Sequence, residues 1–141
     1  KSGRPRPSVT FPFLAPIPCH PLPCWMDFLS LQLAPSILKA VEELGFREPT
    51  PIQAQAIPVA LTGRDLIGSA QTGTGKTAAF MLPTLEQVDS NRGVVQVLVL
   101  APTRELSEQV YLESRKLAGN MPLRFALAVG GRPFARTRKP G

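Results

Sequence analysis

Four residues in one short stretch, Gly73, Gly75, Lys76 and Thr77, have the types and spacing of a cradle for an anion. They lie in AQTGTGKT, residues 70–77, which fits the phosphate-loop pattern G-x-x-x-x-G-K-[ST] at its last three positions and has Ala70 in place of its first glycine. Glycines at 73 and 75 reach backbone angles closed to other residues. Successive N–H groups across Ala70, Gln71, Thr72, Gly73, Thr74 and Gly75 can therefore turn inward on a phosphate. A helix beginning near Lys76 adds its positive end. In such a loop the lysine reaches the β- and γ-phosphates and the threonine hydroxyl sits on Mg²⁺, roles that fall here to Lys76 and Thr77. The plainer alternative is a glycine turn that only joins a strand to a helix. The loop by itself does not say which base follows the phosphates.

A loop of this kind has to be held between a strand and a helix, and the flanking pattern supplies both. Residues 65–69 (DLIGS) read as a short buried strand, and a helix is expected from Lys76 to about Val88. Upstream, Pro35 suits a first helical position, Ile37, Leu38, Val41 and Leu44 share one helical face, and Gly45 stops the helix. Thr50-Pro51, a cap followed by proline, opens a second helix, which Pro58 is expected to kink and Gly63 to end. Downstream, 89–93 is a polar loop. Residues 94–101 (VVQVLVLA) form a nearly continuous β-branched and aliphatic run, the pattern of a strand covered on both faces. Thr103 caps a helix to about Leu117, and 124–129 (RFALAV) reads as a further strand ending at Gly130-Gly131. This alternation predicts an α/β fold in which crossover helices flank a parallel sheet.

Composition limits the function classes. A chain of 141 residues, 43% hydrophobic and 18% charged, fits one soluble globular domain. No apolar run is long enough to span a membrane. Residues 9–19 are apolar but hold three prolines, which spoils them as a signal-peptide core. The net charge of +6 sits in the flanks: residues 1–25 carry +3 and 132–141 carry +4, while 26–131 carry −1. Basicity therefore says little about the patterned part. Seven prolines within residues 1–23 predict a disordered or polyproline-like leader. Cys19, His20 and Cys24 offer half of a zinc site at best, and two thiols in a reduced cytosolic protein are the plainer reading. The chain opens on Lys1, and Met26 precedes the first patterned segment, where a native start would fit.

Gln53 has the chemistry to read a base. A glutamine amide accepts from adenine N6–H and donates to N7 together, whereas guanine presents two acceptors. An unpaired buried polar group costs about 1–3 kcal/mol, enough to favour adenine. Alone, Gln53 could be a solvated helix residue and Phe46 a core residue. Taken together, GFREPTPIQ (45–53), AQTGTGKT (70–77) and PTREL (102–106) resemble the N-terminal part of a DEAD-box ATP-dependent RNA helicase, over about residues 26–131. In that family GFxxPTPIQ is the Q motif, with an isolated aromatic upstream, and Phe28 stands seventeen residues before Gly45. Ala70 is what the family's own phosphate loop has at that position. The resemblance implies a RecA-like P-loop NTPase domain, ATP with Mg²⁺ as cofactor, and a cytoplasmic protein. It also implies that Phe28 stacks on the adenine, with Phe46 and Gln53 in the same pocket.

The second ligand surface lies where the run 94–101 gives way to a helix. In an open α/β sheet, ligands collect at that edge. Thr103 and the first free N–H groups can hold a backbone phosphate, with the charge of Arg104 beside them, in contacts that read no sequence. The resemblance makes Pro102, Thr103, Arg104 and Glu105 the family's RNA-gripping motif Ia, and Gly130-Gly131 its GG element on the same side. Read alone, the two glycines could equally be a turn at a strand end. ATP hydrolysis also needs an acid at a strand end and an arginine facing the γ-phosphate. The Asp-Glu-Ala-Asp tetrad and the Ser-Ala-Thr motif of the family do not occur in the 141 residues.

The expected organisation is a Pro-rich leader (1–25), a Q-motif region (26–54), a partial helicase ATP-binding domain (55–131) and a basic tail outside the resemblance (132–141). The expected function is that of an ATP-dependent RNA helicase, with negligible ATP turnover by these residues alone. The alternatives are a nucleotide-binding module without remodelling activity and a basic-tailed protein that binds nucleic acid by charge. Preference for adenine over guanine separates the first two from the third. RNA-stimulated ATPase separates the first from the second.

Overall fold

The computed structural model describes residues 27–130 and the backbone of 135–137. The leader, the Cys19–His20–Cys24 cluster, Met26, Gly131 and the rest of the basic tail lie outside the described residues. The elements are a 3₁₀ turn (Phe28–Leu31), α1 (Pro35–Glu43), α2 (Pro51–Leu61), α3 (Lys76–Gln87), α4 (Arg104–Leu117), β1 (Phe125–Leu127) and β2 (Ala135–Thr137).

Each helix begins and ends for a reason visible in the chain. Proline opens α1 and α2, where its missing N–H has no intrahelical partner to lose. Gly45, at φ +80°, ends α1 in a Schellman motif: its N–H donates to Glu42 O, and the N–H of Phe46 to Val41 O. That reversal fixes where Phe46 leaves the helix. Gly63 ends α2 in the same left-handed region. α2 runs on through Pro58 to Leu61.

α3 is the centre of the packing and touches α1, α2 and α4. Its Ala78, Met81, Leu82 and Leu85 join Ile37 and Val41 of α1, Ile57 of α2 and Leu117 of α4 in one buried cluster, which also takes in Phe28, Leu31 and Leu33. Burying a side chain of this size contributes about 1.5–3 kcal/mol, so this cluster holds the helices together. Two polar links lock the far end of α3: Gln87 Nε2 donates to Ala60 O at 3.0 Å, and Glu86 Oε2 accepts from Ala34 N–H at 2.7 Å.

The strands differ from expectation. Residues 65–69 and 94–101 make no ladder, and Val95, Leu98 and Leu100 are 88%, 78% and 85% exposed. The expected strand 124–129 is shortened to β1, which pairs antiparallel with β2 (Phe125 opposite Thr137, Leu127 opposite Ala135). The sheet among the described residues is thus a two-stranded antiparallel pair, not the parallel sheet expected. The physical reason is that a parallel strand depends on partners at its edges and helices over its faces. An antiparallel pair needs only a short connection. The run 94–101 has the composition of a buried strand but no laddered neighbour among the described residues.

Candidate functional site

The site grows from the N-terminus of α3. Its cap residue is Gly75, at φ +79°, and no side chain caps the helix. The first intrahelical bond of the loop and helix runs from Ala79 N–H to Gly75 O at 3.0 Å. The N–H groups of Lys76, Thr77 and Ala78 therefore have no partner within the helix, and they share its positive end. A helix start of this kind is an anion site.

The loop is braced from the side by the start of α2. Thr50 Oγ1 donates to Thr74 O at 2.8 Å, and Gln53 Nε2 donates to Gly75 O at 3.2 Å. Gln53 Oε1 accepts from Thr50 N–H at 2.9 Å, the glutamine half of a capping box. Gln53 is fully buried, and its amide is tied to both the helix start and the loop. This contact explains Gly75 twice over. A Cβ at that position would lie 2.3 Å from Gln53 Nε2, and the backbone is left-handed. Gly73, at φ +83°, has open space where a Cβ would stand, so there the backbone angle alone calls for glycine.

Within the loop, Lys76 Nζ donates to Ala70 O and Gln71 O, and Thr74 Oγ1 donates to Gln71 O at 2.7 Å. The lysine thus folds back over the N-terminal side of its own loop. Gln71, Thr72, Gly73 and Lys76 are exposed; Ala70, Thr74, Gly75 and Thr77 are half-buried. Thr77 lies in the first turn of α3, beside the open N–H groups, so its hydroxyl type and position fit a Mg²⁺ ligand next to a bound phosphate. Among the described residues, no group of three His, Cys, Asp or Glu side chains could by itself hold a metal ion.

Phe28 and Phe46 meet edge to face, with ring centroids 6.3 Å apart and planes at 64°. Phe28 is 5% exposed and belongs to the core cluster, while Phe46 is 38% exposed. The two rings thus form one aromatic element, with Phe46 as its open side.

At the other ligand surface, Thr103 Oγ1 accepts from Leu106 N–H at 3.2 Å and caps α4. Pro102, Thr103, Arg104 and Glu105 are all exposed. Gly130 comes to the same place: a Cβ there would lie 3.7 Å from Arg104 Nη2. Residues 102–105 and 130, far apart in sequence, therefore share one surface. The pairing of Thr50 with Gln53 had a signal in the sequence, since threonine followed three residues later by glutamine is the capping-box pattern, whereas the bond from Thr50 to Thr74 O, across 24 residues, had none.

The DEAD/DEAH box helicase family model matches residues 50–140. The chain belongs to that family. It is 51% identical over 109 residues to the DEAD-box ATP-dependent RNA helicase CshA of Bacillus cereus, covering 77% of this chain and 21% of that protein. Among solved structures it is similar to a DEAD box protein from the hyperthermophile Methanococcus jannaschii, with a TM-score of 0.73 and 41% identity over 77% of this chain and 30% of that one. It is also similar to Saccharomyces cerevisiae Dbp5 bound to RNA and ADP BeF3, with a TM-score of 0.63 and 38% identity over 65% of this chain and 24% of that one. The chain spans about a fifth of the length of the curated relative. These likenesses establish an α/β, RecA-like domain, of which the described residues form an incomplete part. No helix among the described residues is long and apolar enough to cross a membrane.

Proposed function

We propose that this chain carries the ATP grip and part of the RNA grip of a cytoplasmic, ATP-dependent RNA helicase. The observation that carries the proposal is the pair of hydrogen bonds from Thr50 and Gln53 to the carbonyls of Thr74 and Gly75. They join the base-reading segment to the phosphate loop as one unit.

In this reading the triphosphate lies on the N–H groups of residues 70–77 and the open start of α3. Lys76 leaves the carbonyls of Ala70 and Gln71 for the β- and γ-phosphates. Thr77 offers its hydroxyl to Mg²⁺, which neutralises charge between the phosphates when bound. A glutamine amide has two donor and two acceptor positions. Gln53 uses one of each in the protein, and its remaining donor and acceptor, the pair that the edge of adenine takes, reach a ligand only when the buried amide is uncovered. Phe46, backed edge to face by the buried Phe28, supplies the apolar face for the ring. RNA lies along Pro102, Thr103, Arg104, Glu105, Gly130 and Gly131, held by its backbone without regard to sequence. The ATP-dependent RNA helicase CshA and the RNA-bound Dbp5 support both halves. The division into 1–25, 26–54, 55–131 and 132–141 is part of the same proposal.

Calorimetric titration of the chain with ATP and GTP tests it. ATP is expected to bind with at least tenfold preference, about 1.4 kcal/mol or more. Equal affinity for the two, or uptake of neither, would contradict the reading. RNA-stimulated hydrolysis is expected of the full-length protein and not of these 141 residues. Turnover by the isolated chain would show that it holds a hydrolytic group not recognised above.

A further inference from the structure

The proposed nucleotide grip has two ends, the ring at Phe28 and Phe46 and the phosphates at the start of α3. Their separation has to be fixed. The segment 27–34, which carries Phe28, is stiffened internally by local bonds: Asp27 Oδ1 accepts from Ser30 N–H at 2.9 Å, and Ser30 Oγ donates to Asp27 O at 2.7 Å. The hydrogen bond that ties it to α3 comes from Glu86. The Oε2 of this half-buried carboxylate accepts from the N–H of Ala34 at 2.7 Å, across 52 residues of sequence. Ala34 is the cap position of α1 and has no side chain able to cap it. Glu86 thus places a carboxylate at the positive end of α1 in a charge-assisted bond. Its neighbour Leu85 is buried in the cluster that holds Phe28, Leu31 and Leu33. One rigid helix carries Lys76 and Thr77 on its first turn and, about 15 Å further along its axis, the side chain that clamps the segment bearing Phe28.

We propose that Glu86 is a positioning residue for the adenine end of the site, setting the aromatic element at a fixed distance from the phosphate loop. This rests on the nucleotide reading above. Loss of the bond frees the start of α1 and the segment before it, while leaving the phosphate loop and its braces from Thr50 and Gln53 in place.

The test is calorimetric titration of the full chain and its variants with ATP, GTP and inorganic tripolyphosphate. Glu86→Ala is expected to weaken ATP about tenfold, narrow the preference for ATP over GTP, and leave tripolyphosphate affinity unchanged. Glu86→Gln keeps an oxygen acceptor for the Ala34 N–H and is expected to restore most of the loss. Ala34→Pro removes the donor from the other side, at a φ of −59° that proline adopts, and is expected to give the same split. It also serves where Glu86→Ala does not fold. Equal weakening of ATP and tripolyphosphate in either variant, or an unchanged ATP-to-GTP ratio, would overturn the proposal. Absence of an ATP preference in the unsubstituted chain would overturn the nucleotide reading as well, and is distinguished by appearing before any substitution.

Discussion

α3 follows a glycine-rich loop and α4 an apolar run, and both starts read as anion sites in the sequence, yet the structure finishes their N-termini differently. α4 is capped by its own Thr103, whose Oγ1 takes the N–H of Leu106. α3 has only Gly75 at its cap position and no side chain over its open N–H groups. What α3 has instead is support from behind, with Thr50 and Gln53 holding the carbonyls of Thr74 and Gly75. A helix start capped by its own side chain has committed one of its open N–H groups, and here Arg104 adds a charge beside those that remain. One held rigid but uncapped keeps its donors for a ligand that brings the negative charge. On the proposed reading, α3 would be the tight, specific site and α4 the loose, sequence-blind one.

The largest expected effect is on the α3 side. Lys76→Ala should lower ATP affinity by about a hundredfold, the loss of two charge-assisted contacts, with RNA affinity unchanged. An equal fall in RNA affinity by filter binding would erase the distinction between the two ends. Gly75→Ala comes next. It sets a methyl group 2.3 Å from Gln53 Nε2 in a left-handed backbone. A loss of about 2–3 kcal/mol in thermal unfolding is expected, together with tenfold or greater weakening of ATP binding. Gly130→Ala is its counterpart beside α4. A Cβ there meets Arg104 Nη2 at an ordinary 3.7 Å, so stability should change by no more than about 0.5 kcal/mol. Arg104→Ala should weaken RNA a few-fold and lower the salt slope of binding by about one, with ATP affinity unaffected. The cap itself lies between the two glycines in its effect on stability: Thr103→Ala should cost about 1 kcal/mol.

Much of the comparison was legible in the sequence. The starts of α1, α2 and α4 and the ends of α1 and α2 follow from local signals, Pro35 and Pro51 at first positions, Gly45 and Gly63 in left-handed ends, Thr103 as a cap. The turn before α3 was legible because Gly73 and Gly75 act through their own backbone angles. What could not be read was set by residues distant in sequence. The run 94–101 specifies an extended, apolar segment, but a ladder belongs to two strands, and the partner is not written in the run. Phe28 was expected at the adenine, and its enclosure against Phe46 and the core depends on packing from α2 and α3. Gln53 was expected as a base reader, and its role as a brace was not legible, because the carbonyl of Gly75 comes to it only when α2 folds against the loop.

The most direct test of that brace is the affinity of the Gln53→Ala variant for inorganic tripolyphosphate, a ligand with no base to read. If Gln53 supports the phosphate loop through Gly75, tripolyphosphate should bind about five- to tenfold more weakly, as for loss of one buried hydrogen bond. If Gln53 acts on the base alone, tripolyphosphate affinity will match that of the unsubstituted chain while ATP affinity falls. That result would contradict the account of the two ends as one braced unit.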